Sequence, residues 1–424
     1  MYDKKQKKER RRFLSGFLAG VVAAVVVIAA VFVLPDVYRV ARYEDTGSKI
    51  SLSMLTPGVR EKVRQLVDVI DQYYYEEVDE STYQEGLYAG LFDGLDMYSM
   101  YYSKDEYASE DESITGFFAG IGAALVEDKD GRVYITDVYE GSPAEAAGLQ
   151  IQDEILQADE YKAKEMDLDE FVSHIRGEEG TEVELTIRRV TNTDAGESEE
   201  AADDGNVETF TKKLTRAQIE APTVKDQMLS DDVGYISISS FSGQTDDQMR
   251  ESITSLQEEG MDKLIIDLRD NFGGNFEAAC DALDEILPAG LMIYTEDRYG
   301  QREEINGTDE EVLDIPIAVL VNGNSASASE VFAGELKDRG VATLVGTQTF
   351  GKGIVQSVYQ MVDGSGFQIT TQKYFTSGGY SVQDEGGVAP DVEIEYEYSG
   401  DLSGDYDYLQ DNQVKKAMEI LEEE

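Results

Sequence analysis

Three short segments concentrate the residues that could do chemistry. The first, VNGNSASASE over 321–330, follows an apolar run and sets Ser325, Ser327 and Ser329 among alanines. A strand-to-helix turn of this kind exposes a hydroxyl beside the free N–H groups of a helix start, and those groups suit an oxyanion. Serines also simply cap helices, and Ser/Ala richness alone does not separate the two roles. The second segment, TQTFGKGIVQ over 347–356, places Lys352 between two glycines in an apolar setting. A lysine becomes a base near neutral pH only when desolvation disfavours its charged form. It could then take a serine proton. Gln356 lies four residues on, an even step that on a strand returns to the same face and could orient the amine. In the third segment, DLRDNFGG over 267–274, paired glycines after an apolar strand suit a backbone donor near a reacting carbonyl.

Residue scarcity removes other chemistries. The chain has one histidine, His174, and one cysteine, Cys280. A Ser-His-Asp triad or a Cys-His pair needs an imidazole beside the nucleophile, and a zinc protease needs a His-rich ligand set. His174 falls on a helix far from the serines in sequence and reads as an ordinary helix residue; Cys280 reads as core. No metal and no organic cofactor is expected. The net charge of −51 repels nucleic acid, since phosphate binding needs clustered Lys and Arg. An apolar fraction of 41% in 424 residues supports packed cores in two or three domains.

The elements that must position these clusters follow from patterning. Residues 1–12 are basic, and 13–34 (FLSGFLAGVVAAVVVIAAVFVL) carry no charge. At about 1.5 Å per residue such a run can cross a hydrocarbon core of about 30 Å, with its basic flank cytoplasmic. A cleaved signal peptide is the competing reading, but the run is longer than such a core and lacks a clean cleavage site. The expected location is therefore the cell membrane, single-pass, with the remaining chain extracytoplasmic. No cell-wall-binding domain is expected after residue 424, so targeting rests on the anchor. Residues 35–112 read as a helical region, with Thr56-Pro57 as a helix start. From 113 to 190 short β-like runs surround one amphipathic helix, LDEFVSHIRG. The segment 191–209 has seven acids and no base and reads as a flexible insertion. From 222 to 398 apolar strands alternate with amphipathic helices, the pattern of a buried sheet in an α/β domain. The last stretch, 409–423, reads as a helix and a candidate homodimer element.

Taken together, the three clusters resemble the carboxyl-terminal processing proteases, the tail-specific peptidases of family S41, over roughly residues 57–398. The resemblance implies an α/β fold with a crotonase/Clp-peptidase-like core, an inserted PDZ domain, a helical N-terminal region and one N-terminal transmembrane helix. It makes Ser327, the middle serine, the nucleophile, Lys352 the base, Gln356 the orienting group, and the amides of Gly273 and Ala328 the oxyanion hole. The stretch Phe118, Ala119, Gly120, Ile121, Gly122 matches the PDZ carboxylate-binding loop; alone it would read as a β-turn. EGSPAEAAGL over 140–149, then DEIL over 153–156, match the PDZ continuation. Ser377 and Tyr380 stand where the family often carries Pro and Arg. The implied layout is a basic tail (1–12), membrane helix (13–34), helical region (35–112), PDZ domain (113–216), peptidase core (217–398) and C-terminal helix (399–424). The implied partners are protein substrates with apolar C-terminal tails. The alternative is a non-catalytic PDZ or ligand-binding membrane protein on the same fold. An acyl-CoA enzyme is disfavoured by an extracytoplasmic location.

Overall fold

The computed structural model describes residues 54–190, 207–308, 313–400 and 406–423. The expected membrane helix, 13–34, lies outside them, and no helix among the described residues is long and apolar enough to cross a membrane. The chain divides into two compact units, 1–83 and 84–424. Helix α1 (Pro57–Tyr73) starts as its sequence dictates, with Thr56 Oγ1 accepting the Val59 N–H and Pro57 in the first turn. Helix α2 (Glu80–Phe92) follows.

The 35–112 region is not purely helical. Strand β1 (Met100–Tyr102) pairs antiparallel with a late strand, Gly366–Thr376, so the region contributes an edge to a sheet of the core. Three residues carry no periodic signal, and the partner lies far along the chain. Helix α3 (Lys104–Thr115) begins with the Ser103 N–H donating to the Glu106 carboxylate at 2.8 Å. It stops at Gly116, which takes a φ of 78°.

A small αβ module comes next. It comprises β2 (Phe117–Gly120), β3 (Ala123–Glu127), β4 (Val133–Val138), α4 (Pro143–Ala146), β5 (Glu154–Ala158), β6 (Tyr161–Lys162), α5 (Leu168–Ile175), β7 (Glu182–Val190), β8 (Val207–Thr215) and β9 (Ala217–Glu220). Its main sheet runs β3-β4-β5-β7-β8, with β6 on β5, and β3 is an edge. Ile135, Ile155, Phe171, Leu185 and Ile187 fill its own core. Pairing of β2 with β9 brings its entry and exit together. The acidic insertion is shorter than expected: Val207, Glu208 and Thr209 already lie in β8, with Glu208 opposite Arg189.

The larger core contains β10 (Val224–Met228), β11 (Val233–Ile238), α6 (Thr245–Glu259), β12 (Lys263–Asp267), α7 (Phe276–Asp284), β13 (Gly290–Asp297), β14 (Arg302–Gly307), β15 (Ile317–Val321), α8 (Ala328–Asp338), β16 (Ala342–Gly346), β17 (Ile354–Gln360), β18 (Gly366–Thr376), α9 (Val382–Glu385), β19 (Val392–Glu393) and α10 (Asn412–Glu423). Its central sheet has the order β10-β11-β12-β15-β16-β19, parallel from β11 onward. Both faces are covered, which explains the near-continuous apolar strands. On one face Ile236, Ile266, Val319 and Leu344 pack with Met249, Leu283 and Phe332 of α6, α7 and α8. On the other, Tyr235, Ile265, Ala318 and Val345 meet Val414, Ala417 and Leu421 of α10. The expected dimer element thus spends its apolar face inside the chain. Its start is tied to the end of β12 by Arg269, which pairs with Asp267 at 2.6 Å and Asp411 at 2.7 Å. A second sheet, β1-β18-β13-β14 with β17 on β18, stands beside the first.

Candidate active site

Adjacent parallel strands bring the three segments together. β12, β15 and β16 are neighbours, so the loops that leave their C-terminal ends emerge side by side. Those loops are DLRDNFGG, the serine cluster and the lysine segment. A cavity of ≈ 570 Å³ opens there, and Ser327, Lys352 and Gln356 all line it, with Glu110, Phe276 and Tyr374.

Geometry separates the three serines. Ser325 is fully buried; its hydroxyl donates to Leu268 O at 2.7 Å and accepts the Asn322 N–H at 3.0 Å. Ser329 is also fully buried and donates to Asn271 O at 2.9 Å. Both therefore lash the start of α8 to the DLRDNFGG loop. Ser327 is half-buried and lines the cavity. Its backbone, at φ 54° and ψ −113°, is strained for a residue with a side chain, as expected of an elbow that pushes a hydroxyl outward. Ser325→Ala and Ser329→Ala are expected to keep substantial peptidase activity while losing about 1–3 kcal/mol of stability each, read by denaturant unfolding beside a turnover assay. Inactivity in a folded Ser325→Ala or Ser329→Ala protein would contradict this division.

Glu330 is the residue that sequence reasoning passed over. It is fully buried, and its carboxylate accepts the N–H of Ser327 at 2.9 Å, of Gly351 at 2.7 Å and of Lys352 at 2.8 Å, together with the Thr349 hydroxyl. One carboxylate therefore fixes the elbow against the lysine loop. The available signal was its place three residues after Ser327, the N3 position of a helix start.

Lys352 is half-buried, and burial pushes its pKa below the ordinary lysine value, opposed by the carboxylates of Glu110, Asp96 and Glu330. Its Nζ lies 4.6 Å from the centre of the Tyr98 ring. Among the described residues no hydrogen bond joins Lys352 to the Ser327 hydroxyl. Gln356 reaches the cavity by a different route from the even-step rule. Lys352 precedes β17, and the register shifts between Val355 and Gln356. The Gln356 amide donates to Thr370 Oγ1 at 3.1 Å.

The glycine loop abuts Ser327. A Cβ on Gly273 would fall 2.6 Å from Ala326 O and 2.9 Å from Ser327 Cβ, and its φ is 106°, so only glycine fits. The Gly273 N–H donates to Asn271 Oδ1 at 2.8 Å. Gly274 lines the cavity, and neither its N–H nor that of Ala328 has an acceptor among the described residues. Ser377 and Tyr380 serve packing: the Ser377 N–H donates to Glu335 at 2.8 Å and the Tyr380 hydroxyl to Gly387 O at 2.6 Å.

A second cavity, ≈ 490 Å³, lies between β3 and α5 in the small module. Phe118, Gly120, Ile121 and Gly122 line it with Leu168, Val172 and Ile175; Ala119 does not, and its carbonyl accepts the Gly177 N–H at 3.3 Å. The free edge of β3 runs along the groove. Ser109, Glu112 and Ser113 of α3 form another wall, and Glu112 pairs with Arg176 at 3.0 Å.

Comparisons with known proteins follow the same lines. Residues 232–394 match the peptidase family S41 model, and 134–189 match a PDZ domain model. The chain is 34% identical over 337 residues to the carboxy-terminal processing protease CtpA of Bacillus subtilis, covering 79% of this chain and 69% of that one. It is 32% identical to a probable CtpA-like serine protease of Staphylococcus aureus, covering 85% and 70%. A solved photosystem II D1 C-terminal processing protease aligns at 26% identity with a TM-score of 0.44, covering 79% of this chain and 86% of that one.

Proposed function

The chain belongs to peptidase family S41, as a carboxy-terminal processing serine peptidase with a PDZ domain, and from that premise we propose that Ser327 is its nucleophile and Lys352 its general base. The observation that carries the reading is the shared cavity. It receives one serine of the three and a lysine whose burial favours the neutral amine. The amine removes the Ser327 proton as Oγ attacks the scissile carbonyl carbon. The resulting ammonium then gives that proton to the leaving amine, and the C–N bond breaks. Water, deprotonated by the same amine, hydrolyses the acyl-enzyme and restores Ser327.

The tetrahedral oxyanion is held by the Ala328 N–H and by the Gly273 N–H once that amide gives up Asn271. The Gln356 amide orients the lysine after leaving Thr370. Such contacts are often long in unliganded enzymes and tighten with substrate. Protein substrates are selected by their C-terminal tails. The tail adds as a strand to the β3 edge, and amides of the Phe118–Gly122 loop take its carboxylate. The basic 1–12 and apolar 13–34 runs support a chain anchored in the cell membrane, with its catalytic domain outside.

A fluorophosphonate probe is expected to label Ser327 alone, as located by mass spectrometry. A non-catalytic binding protein would leave every serine unlabelled.

A further inference from the structure

The second sheet ends at the catalytic cavity in an open strand. Residues 366–368 of β18 pair with β1 on one side and with β17 on the other, so β17 is the outermost strand there. Among the described residues β17 pairs with no strand but β18, and no other backbone or side-chain group bonds to the main chain of 354–358. Its sequence, IVQSVYQ, also lacks the charges and prolines with which proteins usually defend an exposed edge. Yet 354–358 are half-buried, because the catalytic cavity lies against them: Ile354, Val355, Gln356, Ser357 and Val358 all line it. Successive side chains of a strand point to opposite faces, so a cavity over one face alone would meet alternate residues. The bulge between Val355 and Gln356 shifts that alternation by one residue without removing it. Ser357 shows which part of the strand is presented. Its hydroxyl bonds to that of Thr371 at 2.8 Å, and Thr371 is not on the cavity wall, whereas Gln368 and Gln372 are. Ser357 therefore borders the cavity with its main chain. The open edge of β17 faces the space that holds Ser327 and Lys352.

We propose that this edge is a second strand-addition site, which takes the extended segment of the substrate that carries the scissile bond. The inference rests on the assignment of Ser327 as the nucleophile. Main-chain N–H and C=O groups recur at a fixed spacing whatever the sequence, so a strand laid along β17 satisfies both edges where the cavity excludes water. The ladder also sets register, since a slip of one residue turns every side chain to the other face. Register is what places one carbonyl, and not its neighbour, at the Ser327 hydroxyl. Side chains of the added strand alternate, and those directed inward meet Phe276, Ile305 and Tyr374. Selection and cutting are thus divided. The β3 groove reads the tail, and β17 holds an upstream segment by its main chain with little regard to sequence. A second copy of this chain is the competing occupant of an open edge, but the cavity that contains the reacting groups favours substrate.

The test replaces single amides of a synthetic substrate with an apolar C-terminal tail by esters, on either side of the cleaved bond. An ester keeps the shape and removes one N–H. Only every second residue of an added strand turns its N–H toward its partner. kcat/KM is therefore expected to fall about 5–100-fold at alternate positions and by less than about 3-fold between them. Independently, hydrogen–deuterium exchange of the Ser327→Ala protein is expected to slow within 354–358 when the full substrate peptide binds. A tail-only peptide is expected to slow exchange in β3 and to leave 354–358 unchanged. Ester losses without alternation, or no protection of 354–358, with Ser327→Ala inactive, would overturn the β17 site alone. Protection that follows protein concentration and ignores peptide would give the edge to a second copy and overturn it equally. A Ser327→Ala enzyme that still cleaves would instead overturn the nucleophile assignment, and this inference with it.

Discussion

Ser327→Ala is expected to lower kcat/KM by at least about 10⁴-fold while a fluorescent tail peptide binds as it does to the wild type. Removing the nucleophile of a serine peptidase leaves only what binding and oxyanion stabilisation contribute. No second hydroxyl can replace it, because Ser325 and Ser329 point into the protein and are bonded to Leu268 O and Asn271 O. Tail affinity is a separate property, since the groove between β3 and α5 contains no part of the serine cluster. Fluorescence anisotropy and a cleavage assay on the same preparation decide the matter. Cleavage at more than a few per cent of the wild-type rate would remove Ser327 from the mechanism.

Lys352→Arg is expected to cost about 10²–10⁴-fold in kcat, the usual contribution of a general base. The guanidinium keeps the charge and much of the length but stays protonated throughout the working range. The sign of the pH effect follows. With the neutral amine as the proposed base, wild-type kcat/KM is expected to rise with pH as Lys352 loses its proton. Burial pushes its pKa down, so the limb lies below the ordinary lysine range. The residual rate of the Arg variant is expected to lack that limb. A variant that kept both the rate and the limb would show that another group accepts the proton.

Much of this architecture was legible in the chain. The strand runs around 233–238, 263–267, 317–321 and 342–346 are apolar on both parities, which marks strands buried on both faces, and the intervening helices fall where amphipathic periodicity places them. Thr56-Pro57 begins a helix for the reason its chemistry suggests. Strand β1 was not legible, since three residues have no period and their partner is remote. The fate of the last helix was not legible either. An apolar stripe on α10 records that it must be covered, not whether the cover is the parallel sheet of its own chain or another molecule.

The candidate site divides in the same way. Residue type and spacing offer a serine cluster, a glycine-flanked lysine and a paired glycine as candidates, the single histidine and single cysteine leave few other nucleophile–base pairs, and the resemblance to family S41 joins the three clusters into one expected site. Strand order decides that these clusters meet, since β12, β15 and β16 are adjacent only through long-range hydrogen bonding. Packing decides which serine is presented. Ser325 and Ser329 satisfy buried carbonyls, and the strained turn leaves Ser327 facing the cavity. The same packing places Glu330 at the junction of the two loops, although that acid does not stand out among the 87 acidic residues of the chain. Local patterning specifies what each segment is. Desolvation, hydrogen-bond satisfaction and the proximity of distant segments exist only once the sheet has formed, so the protonation and orientation of the reacting groups belong to the tertiary structure.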